Sequence, residues 1–175
     1  MCQSYNRQYG TNFISVMPAN LYGPNDNFDL EKSHVIPAMI RKFHEAKIRG
    51  DQEVTLWGTG NPRREFLYVD DMAQGCIFLL QNFNPSKEQN ESGEIFVNLG
   101  AGEDITIKNL AELIKKTVGY EGNIVWNTGR PDGTPGRLMD SSKVNNLGWK
   151  PKYGLQEGLS LAHTWYKNSL NNFGS

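Results

Sequence analysis

Apolar positions recur along this chain at two periods, and the switches between them mark its elements. Met1, Tyr5 and Tyr9 fall at i, i+4 and i+8, one face of a helix, and Gly10 follows as its stop. That pattern shows no cap and no beginning. Phe13–Met17 (FISVM) reads as a buried strand, parallel in character, and runs into the loop PANLYGPNDNF. Ser33 is expected to cap a helix through HVIPAMIRKFHEAKIRG, with Pro37 in its first turn and Gly50 past its end. Val54–Trp57 and Phe66–Val69 read as short strands, and Asp70 or Asp71 is expected to cap a helix over MAQGCIFLLQNF. Residues 83–94 read as a polar loop and Ile95–Leu99 as a strand. Thr106 is expected to cap the helix IKNLAELIKKTVGY, whose Ile107, Leu110, Ala111 and Ile114 keep helical spacing and whose Gly119 ends it. Ile124–Trp126 reads as a strand and GRPDGTPGR as a rigid loop. A short helix around SSKVNNLG and a last one from Leu155 to about Leu170 complete the pattern.

Strands alternating with helices imply an α/β fold. The strands are too few for a complete doubly wound sheet. No GxGxxG follows a first strand, so this stretch carries no dinucleotide pyrophosphate cradle of its own. Composition narrows the function classes. With 18 basic and 19 acidic residues, the chain lacks the basic bias of a nucleic-acid binder. No apolar run approaches the roughly 20 residues of a membrane span, and MCQSYNRQYG is not built like a signal peptide. Cys2 and Cys76 stand isolated, without metal or redox spacing, which points to a reduced cytoplasmic setting.

Four places bear candidate chemistry. Arg63 and Arg64 open a strand, so their side chains point to opposite sides, and a guanidinium fork suits phosphate oxygens as readily as it suits a surface carboxylate. Arg130 and Arg137 lie on GRPDGTPGR, where glycine permits close backbone approach and proline limits wandering. His34 borders a polar loop at a helix start, where it serves as a general acid or as a packing group. Trp57, before a glycine turn, either stacks on a ligand or fills the core, and core is the commoner role. Asp70 and Asp71 invite a metal or acid–base reading, but the helix cap accounts for at least one carboxylate and the helix dipole favours the other, so the structural reading leads. His44 and His163 sit mid-helix and read as structural or exposed, and the three histidines show no metal-ligand spacing.

PANLYGPNDNF, KSHVIPAMIRKFHEA, WGTGNPRREFLYVDDMA, VNLGAGEDITIKNLAELI and RPDGTPGRLMD together resemble the GDP-L-fucose synthase family. These are extended short-chain dehydrogenase/reductases that use NADPH to epimerise and reduce a GDP-4-keto-6-deoxy-mannose. SHVIPAMIRKFHEA with PDGTPGRLMD carries the specificity, whereas REF-L-VDD is shared by many sugar-nucleotide enzymes. The resemblance implies the C-terminal part of such an enzyme: the end of a Rossmann-like sheet plus a small α/β substrate-binding domain. Residues 1–25 would be a remnant of the NADP-binding domain. Residues 26–175 would be mainly the GDP-sugar domain, with 65–100 partly returning to the Rossmann sheet.

The resemblance also assigns roles. Pro18, Ala19, Asn20 and Leu21 match the loop at the nicotinamide end of NADP(H). His34 matches the acid of epimerisation, with a secondary cofactor contact. Lys42, Trp57 and Arg64 match substrate contacts, with Arg64 facing the cleft and Arg63 outward. Asp132 and Arg137 lie on the loop that closes on GDP, although relatives often carry two basic residues where this chain has Gly136–Arg137. The family's Gly-rich loop and its catalytic Ser, Tyr, Lys and Cys have no counterpart here, so this polypeptide alone is expected to show no reductase activity. No metal is implied. Its unpartnered apolar faces predict a homodimer or higher self-association. Two alternatives remain open: another nucleotide-sugar epimerase, reductase or dehydratase on this scaffold, and a non-catalytic nucleotide-sugar-binding fragment or subunit.

Overall fold

The computed structural model describes residues 1–136 and 138–173. In chain order the elements are α1 (Cys2–Tyr9), β1 (Ser15–Pro18), β2 (Asn20–Tyr22), α2 (Val35–Arg49), β3 (Glu53–Trp57), β4 (Arg63–Tyr68), α3 (Val69–Asn82), α4 (Lys87–Ser92), β5 (Phe96–Leu99), β6 (Asp104–Thr106), α5 (Ile107–Val118), β7 (Asn123–Asn127), α6 (Ser142–Asn146) and α7 (Leu155–Phe173). The α/β alternation is as the sequence pattern predicts. So are the left-handed caps at Gly10, Gly50 and Gly119, and the Thr106 hydroxyl that accepts the Asn109 N–H.

Local capping differs from expectation at three places. His34, not Ser33, occupies the N-cap of α2, and no side chain caps that end. Tyr68 is the N-cap of α3, which puts Asp70 and Asp71 in its first turn rather than at its cap. The Asp71 carboxylate instead accepts the Lys152 N–H at 2.9 Å. The polar stretch expected as loop contains α4, nucleated by a capping box between Ser86 and Gln89. The short strands β2 and β6 also formed in stretches read as loop; β2, β4 and β6 are hydrogen-bonded in that order.

The chain divides into two compact units. The first comprises Met1–Leu21, Glu65–Glu103 and Leu138–Lys152. Its β1 and β5 pair in parallel, from Ser15 opposite Phe96 to Pro18 opposite Leu99. Ala19, Leu67, Leu79, Val97, Leu99, Val144 and Trp149 form its buried core. Between α1 and α4, the Asn6 amide donates to Phe13 O and Asn90 Oδ1 and accepts from Thr11 and from the Phe13 N–H.

The described residues of the second unit fall within Tyr22–Arg64, Asp104–Arg137 and Tyr153–Ser175. Here β3 and β7 pair in parallel, with Trp57 opposite Asn127. The apolar faces of α2, α5 and α7 supply its core: Ile36, Ile40, Phe43, Leu110, Ile114 and Leu159 are almost fully buried. Phe28 stacks on Tyr166 with ring centroids 4.5 Å apart.

Candidate functional site

Burial rises along the start of β4 across three neighbouring charges. Arg63 is exposed, Arg64 half-buried and Glu65 buried. Arg63 forms a forked bond to Asp104 Oδ1, at 2.8 Å from Nε and 2.6 Å from Nη2, and this hydrogen bond holds the Asp104 carboxyl below the usual carboxylate range. The outward arginine is thus ion-paired. Arg64 Nη1 donates to the carbonyls of Thr134 at 2.6 Å and Arg63 at 2.7 Å, and the Arg63 N–H donates to Pro135 O. The Gly/Pro loop is therefore tied to the start of β4 by Arg64 and by main chain.

A second tie lies further up the same loop. Asp132 accepts the Thr59 N–H at 2.8 Å and the Thr59 hydroxyl at 2.6 Å, and these bonds lower its pKa, the hydroxyl contributing most. A Cβ at Gly58, whose φ is 81°, would come within 2.3 Å of Asp132 Oδ1, so only glycine admits the contact. Thr59 gave no signal in the sequence beyond standing between two glycines.

Trp57 closes β3 with 57% of its surface exposed, so it does not fill the core. Lys42 Nζ sits over its ring, 5.3 Å from the centroid, and Arg130 Cζ does so at 5.0 Å. Burial lowers the Lys42 pKa, and its ammonium donates to the Thr55 carbonyl at 3.5 Å. The structure thus gathers Lys42 and Trp57, adds Arg130 to them, and sets Arg64 and Asp132 as ties on the loop that carries Arg130. Arg137 lies outside the described residues.

His34 is exposed at the N-cap of α2, on the extended backbone that precedes the helix. Asp26 faces it electrostatically: burial raises the Asp26 pKa, while the Asn27 N–H and the His34 charge pull it down. Sequence reading passed over Asp26, one of several polar residues in its loop. Pro18, Ala19, Asn20 and Leu21 belong to the first unit. Ala19 is buried with its N–H on Leu99 O, and the Asn20 amide nitrogen donates to Glu65 O at 2.7 Å. Among the described residues nothing donates to the Asn20 carboxamide oxygen, which suits it to accept an amide N–H such as a nicotinamide presents.

His44 and His163, read as structural or exposed, pair with each other: Nδ1 of the first lies 3.2 Å from Nε2 of the second. Among the described residues no cluster of three or more His, Cys, Asp or Glu is arranged to hold a metal ion, and no helix is long and apolar enough to cross a membrane.

A cation-flanked tryptophan, a tied Gly/Pro loop and a parallel α/β framework suit a nucleotide-sugar enzyme. Residues 1–100 match the NAD dependent epimerase/dehydratase family, and the chain belongs to that family. It is 53% identical over 171 residues to GDP-L-fucose synthase 1 of Arabidopsis thaliana, covering 98% of this chain and 50% of that protein. GDP-L-fucose synthase of Escherichia coli (strain K12) is 44% identical over 99% of this chain and 54% of its own length. Among solved structures, a GDP-6-OMe-4-keto-L-xylo-heptose reductase from C. jejuni superposes with a TM-score of 0.86 at 40% identity, covering 97% of this chain and 57% of that one. A GDP-L-fucose synthetase from Naegleria fowleri bound to NADP gives 0.85 at 27% identity, covering 99% and 53%. The chain spans about half the length of the curated relatives it matches.

Proposed function

We propose that this chain supplies the GDP-sugar-binding part of a GDP-L-fucose synthase, which converts GDP-4-keto-6-deoxy-D-mannose to GDP-L-fucose by 3,5-epimerisation and 4-reduction. The observation that carries the reading is 53% identity to a GDP-L-fucose synthase along 98% of the chain. The C4 ketone acidifies the protons at C3 and C5, so that a base removes each one and an acid returns a proton to the carbon on the opposite face. His34 takes the acid role. It stands exposed at a helix start, with Asp26 as its electrostatic neighbour. NADPH, when bound, supplies the hydride that reduces C4, and Pro18–Leu21 offer its nicotinamide the free Asn20 oxygen. Lys42, Trp57, Arg64, Asp132 and Arg137 form or support the GDP subsite. Residues 1–25, with 65–100, make up the cofactor-side part, a reading supported by the pairing of β1 with β5. Self-association fits the exposed face of Met1, Tyr5 and Tyr9 on α1.

The test is calorimetric titration of the chain with GDP, UDP and dTDP. GDP is expected to bind at least about tenfold more tightly than the other two. Equal affinities overturn the guanine assignment. A second reading, reduction of a different GDP-4-keto sugar, is favoured by the TM-score of 0.86 with the heptose reductase. Relative affinities for GDP-mannose-type and GDP-heptose-type ligands separate the two readings.

A further inference from the structure

A basic hollow of about 430 Å³ lies between α2, α5 and α7, with His44, Lys47, His163 and Lys167 among its lining residues. Lys47 is turned about 140° round α2 from Lys42, so this hollow lies on a different side of the helix from Trp57. No carboxylate is among its lining residues. Glu45, whose charge reaches His44, is held by Arg41 at 2.6 Å and by Arg49 at 3.3 Å.

Several hydrogen-bond donors here have nothing to donate to. His44 Nδ1 lies 3.2 Å from His163 Nε2, so one ring donates and the other accepts. Whichever tautomer holds, one of the two remaining ring nitrogens carries an N–H, and neither has a partner among the described residues. His163 is 7% exposed, so its ring is buried with one nitrogen unanswered. Among the described residues the Thr164 hydroxyl and the Lys167 ammonium make no hydrogen bond or ion pair. Lys47 Nζ donates to Val118 O at 2.9 Å and keeps two further N–H groups. That bond, with the N–H groups of Gly119 and Tyr120 on the carbonyls of Lys115 and Lys116, covers oxygens at the end of α5 that would repel an anion.

Two ammonium groups acting on an uncharged imidazole pair set a positive potential in the hollow. This opposes a metal cation, although two imidazole nitrogens 3.2 Å apart have the spacing of a chelate. It favours a compact anion with several acceptor oxygens. We propose that the hollow binds a tetrahedral oxyanion of the phosphate type, as the free ion or as the end group of a phosphate monoester. Lys47 and Lys167 neutralise it, and Thr164 and the imidazole pair orient it. The groups facing the pair are Lys47 and Glu45 from α2, Lys167 and Tyr166 from α7, and the uncharged Thr117 and Val118 from α5. With Glu45 held by its arginines, the anion becomes the counter-charge of the pair. One proton taken from water then makes both outer ring nitrogens donors, so anion and proton bind together.

The experiment is an NMR titration of the full chain at about pH 6, following the ring C–H signals of His44 and His163. Sodium phosphate or phenyl phosphate is added, against sodium chloride of equal ionic strength. A saturable shift with phosphate and none with chloride is expected. Binding of phenyl phosphate as well assigns the site to monoesters, and binding of phosphate alone assigns it to the free ion. Lys167→Gln should weaken binding about fivefold or more, as expected for losing one charge-assisted contact in a half-open site. Lys167→Arg should retain it, and GDP affinity should be unchanged in Lys167→Gln. Sulfate, which keeps both charges across this range, should raise the urea midpoint more at about pH 5.5 than at about pH 7.5. Phosphate that acts no differently from chloride, or that binds Lys167→Gln as tightly as wild type, overturns the proposal. An equal midpoint gain at the two pH values overturns the part given to the imidazole pair.

Discussion

Asp132 grips Thr59 with both carboxylate oxygens, one on the backbone N–H and one on the hydroxyl. A carboxylate so engaged acts on a ligand chiefly through the loop it fixes. Thr59→Val removes only the hydroxyl bond, whereas Asp132→Ala removes both. Asp132→Ala is expected to weaken GDP binding several-fold and Thr59→Val by less, and the double variant should be little worse than Asp132→Ala alone. A double-mutant cycle by titration calorimetry checks this. Additive losses would mean that Asp132 contacts the ligand independently of Thr59.

Arg63 and Arg64 are adjacent but differently employed. Arg63 is satisfied by Asp104, whereas Arg64 docks the Thr134 carbonyl through Nη1, and among the described residues its other nitrogens make no hydrogen bond. Arg64→Ala should weaken GDP binding by more than about tenfold, through loss of a charge-assisted donor and release of the loop. Arg63→Ala should leave GDP affinity unchanged, because an exposed ion pair contributes little and points elsewhere. Equal effects of the two substitutions in the same titration would break the distinction.

These two arginines show how far the sequence was legible. Strand alternation alone separated their side chains, and Gly/Pro content alone identified the loop that Arg64 secures. Helix ends marked by glycine at left-handed caps were equally readable, as was the Thr106 cap. What stayed hidden depends on contacts far apart in the chain. Nothing in WGTGN announces that Thr59 meets a carboxylate 73 residues later. Trp57 reads as core until β7 brings Arg130 back to it. Periodicity on α2 and α7 places His44 and His163 mid-helix but says nothing of their meeting. Short elements such as α4 and β6 lack the length that makes a pattern visible.

Glu65 precedes the strand that the pattern predicts at Phe66–Val69 and reads from the sequence as a surface charge, yet it is 1% exposed. Its Oε1 accepts the Gly102 N–H at 2.8 Å and its Oε2 the Met139 N–H at 3.0 Å, which joins three segments of the first unit. A Cβ at Gly100 would lie 2.3 Å from Oε1, so that carboxylate also demands glycine. In Glu65→Gln an amide NH₂ replaces one acceptor and faces a backbone donor. The expected loss is about 1–3 kcal/mol of stability, read as a lower urea midpoint. Gly100→Ala should be destabilising for steric reasons. An unchanged midpoint in Glu65→Gln would show that these N–H groups find other acceptors.

The His44–His163 contact joins α2 to α7 and gives the second unit an acid limit. Burial pushes the His163 imidazole down to about 4, with Lys167, His44 and Lys47 adding repulsion. Burial likewise lowers His44, helped by Lys167 and Lys47 and opposed by Glu45. The hollow beside them, about 430 Å³, is lined by both lysines and by Thr117 and Val118 at the end of α5, with no carboxylate among its lining residues. Both rings are thus held neutral, one donating to the other. A histidine whose folded pKa lies below its unfolded value contributes full stability above the unfolded pKa of about 6.5. That contribution is lost as pH falls toward the folded value, because the unfolded chain takes up the proton first. Stability is therefore expected to decline between pH 6.5 and about 4, by on the order of 2 kcal/mol. His163→Gln, which does not titrate, should flatten this decline even if it is less stable at neutral pH. Urea unfolding at a series of pH values is the measurement, and an equal slope in wild type and variant would place the acid sensitivity elsewhere.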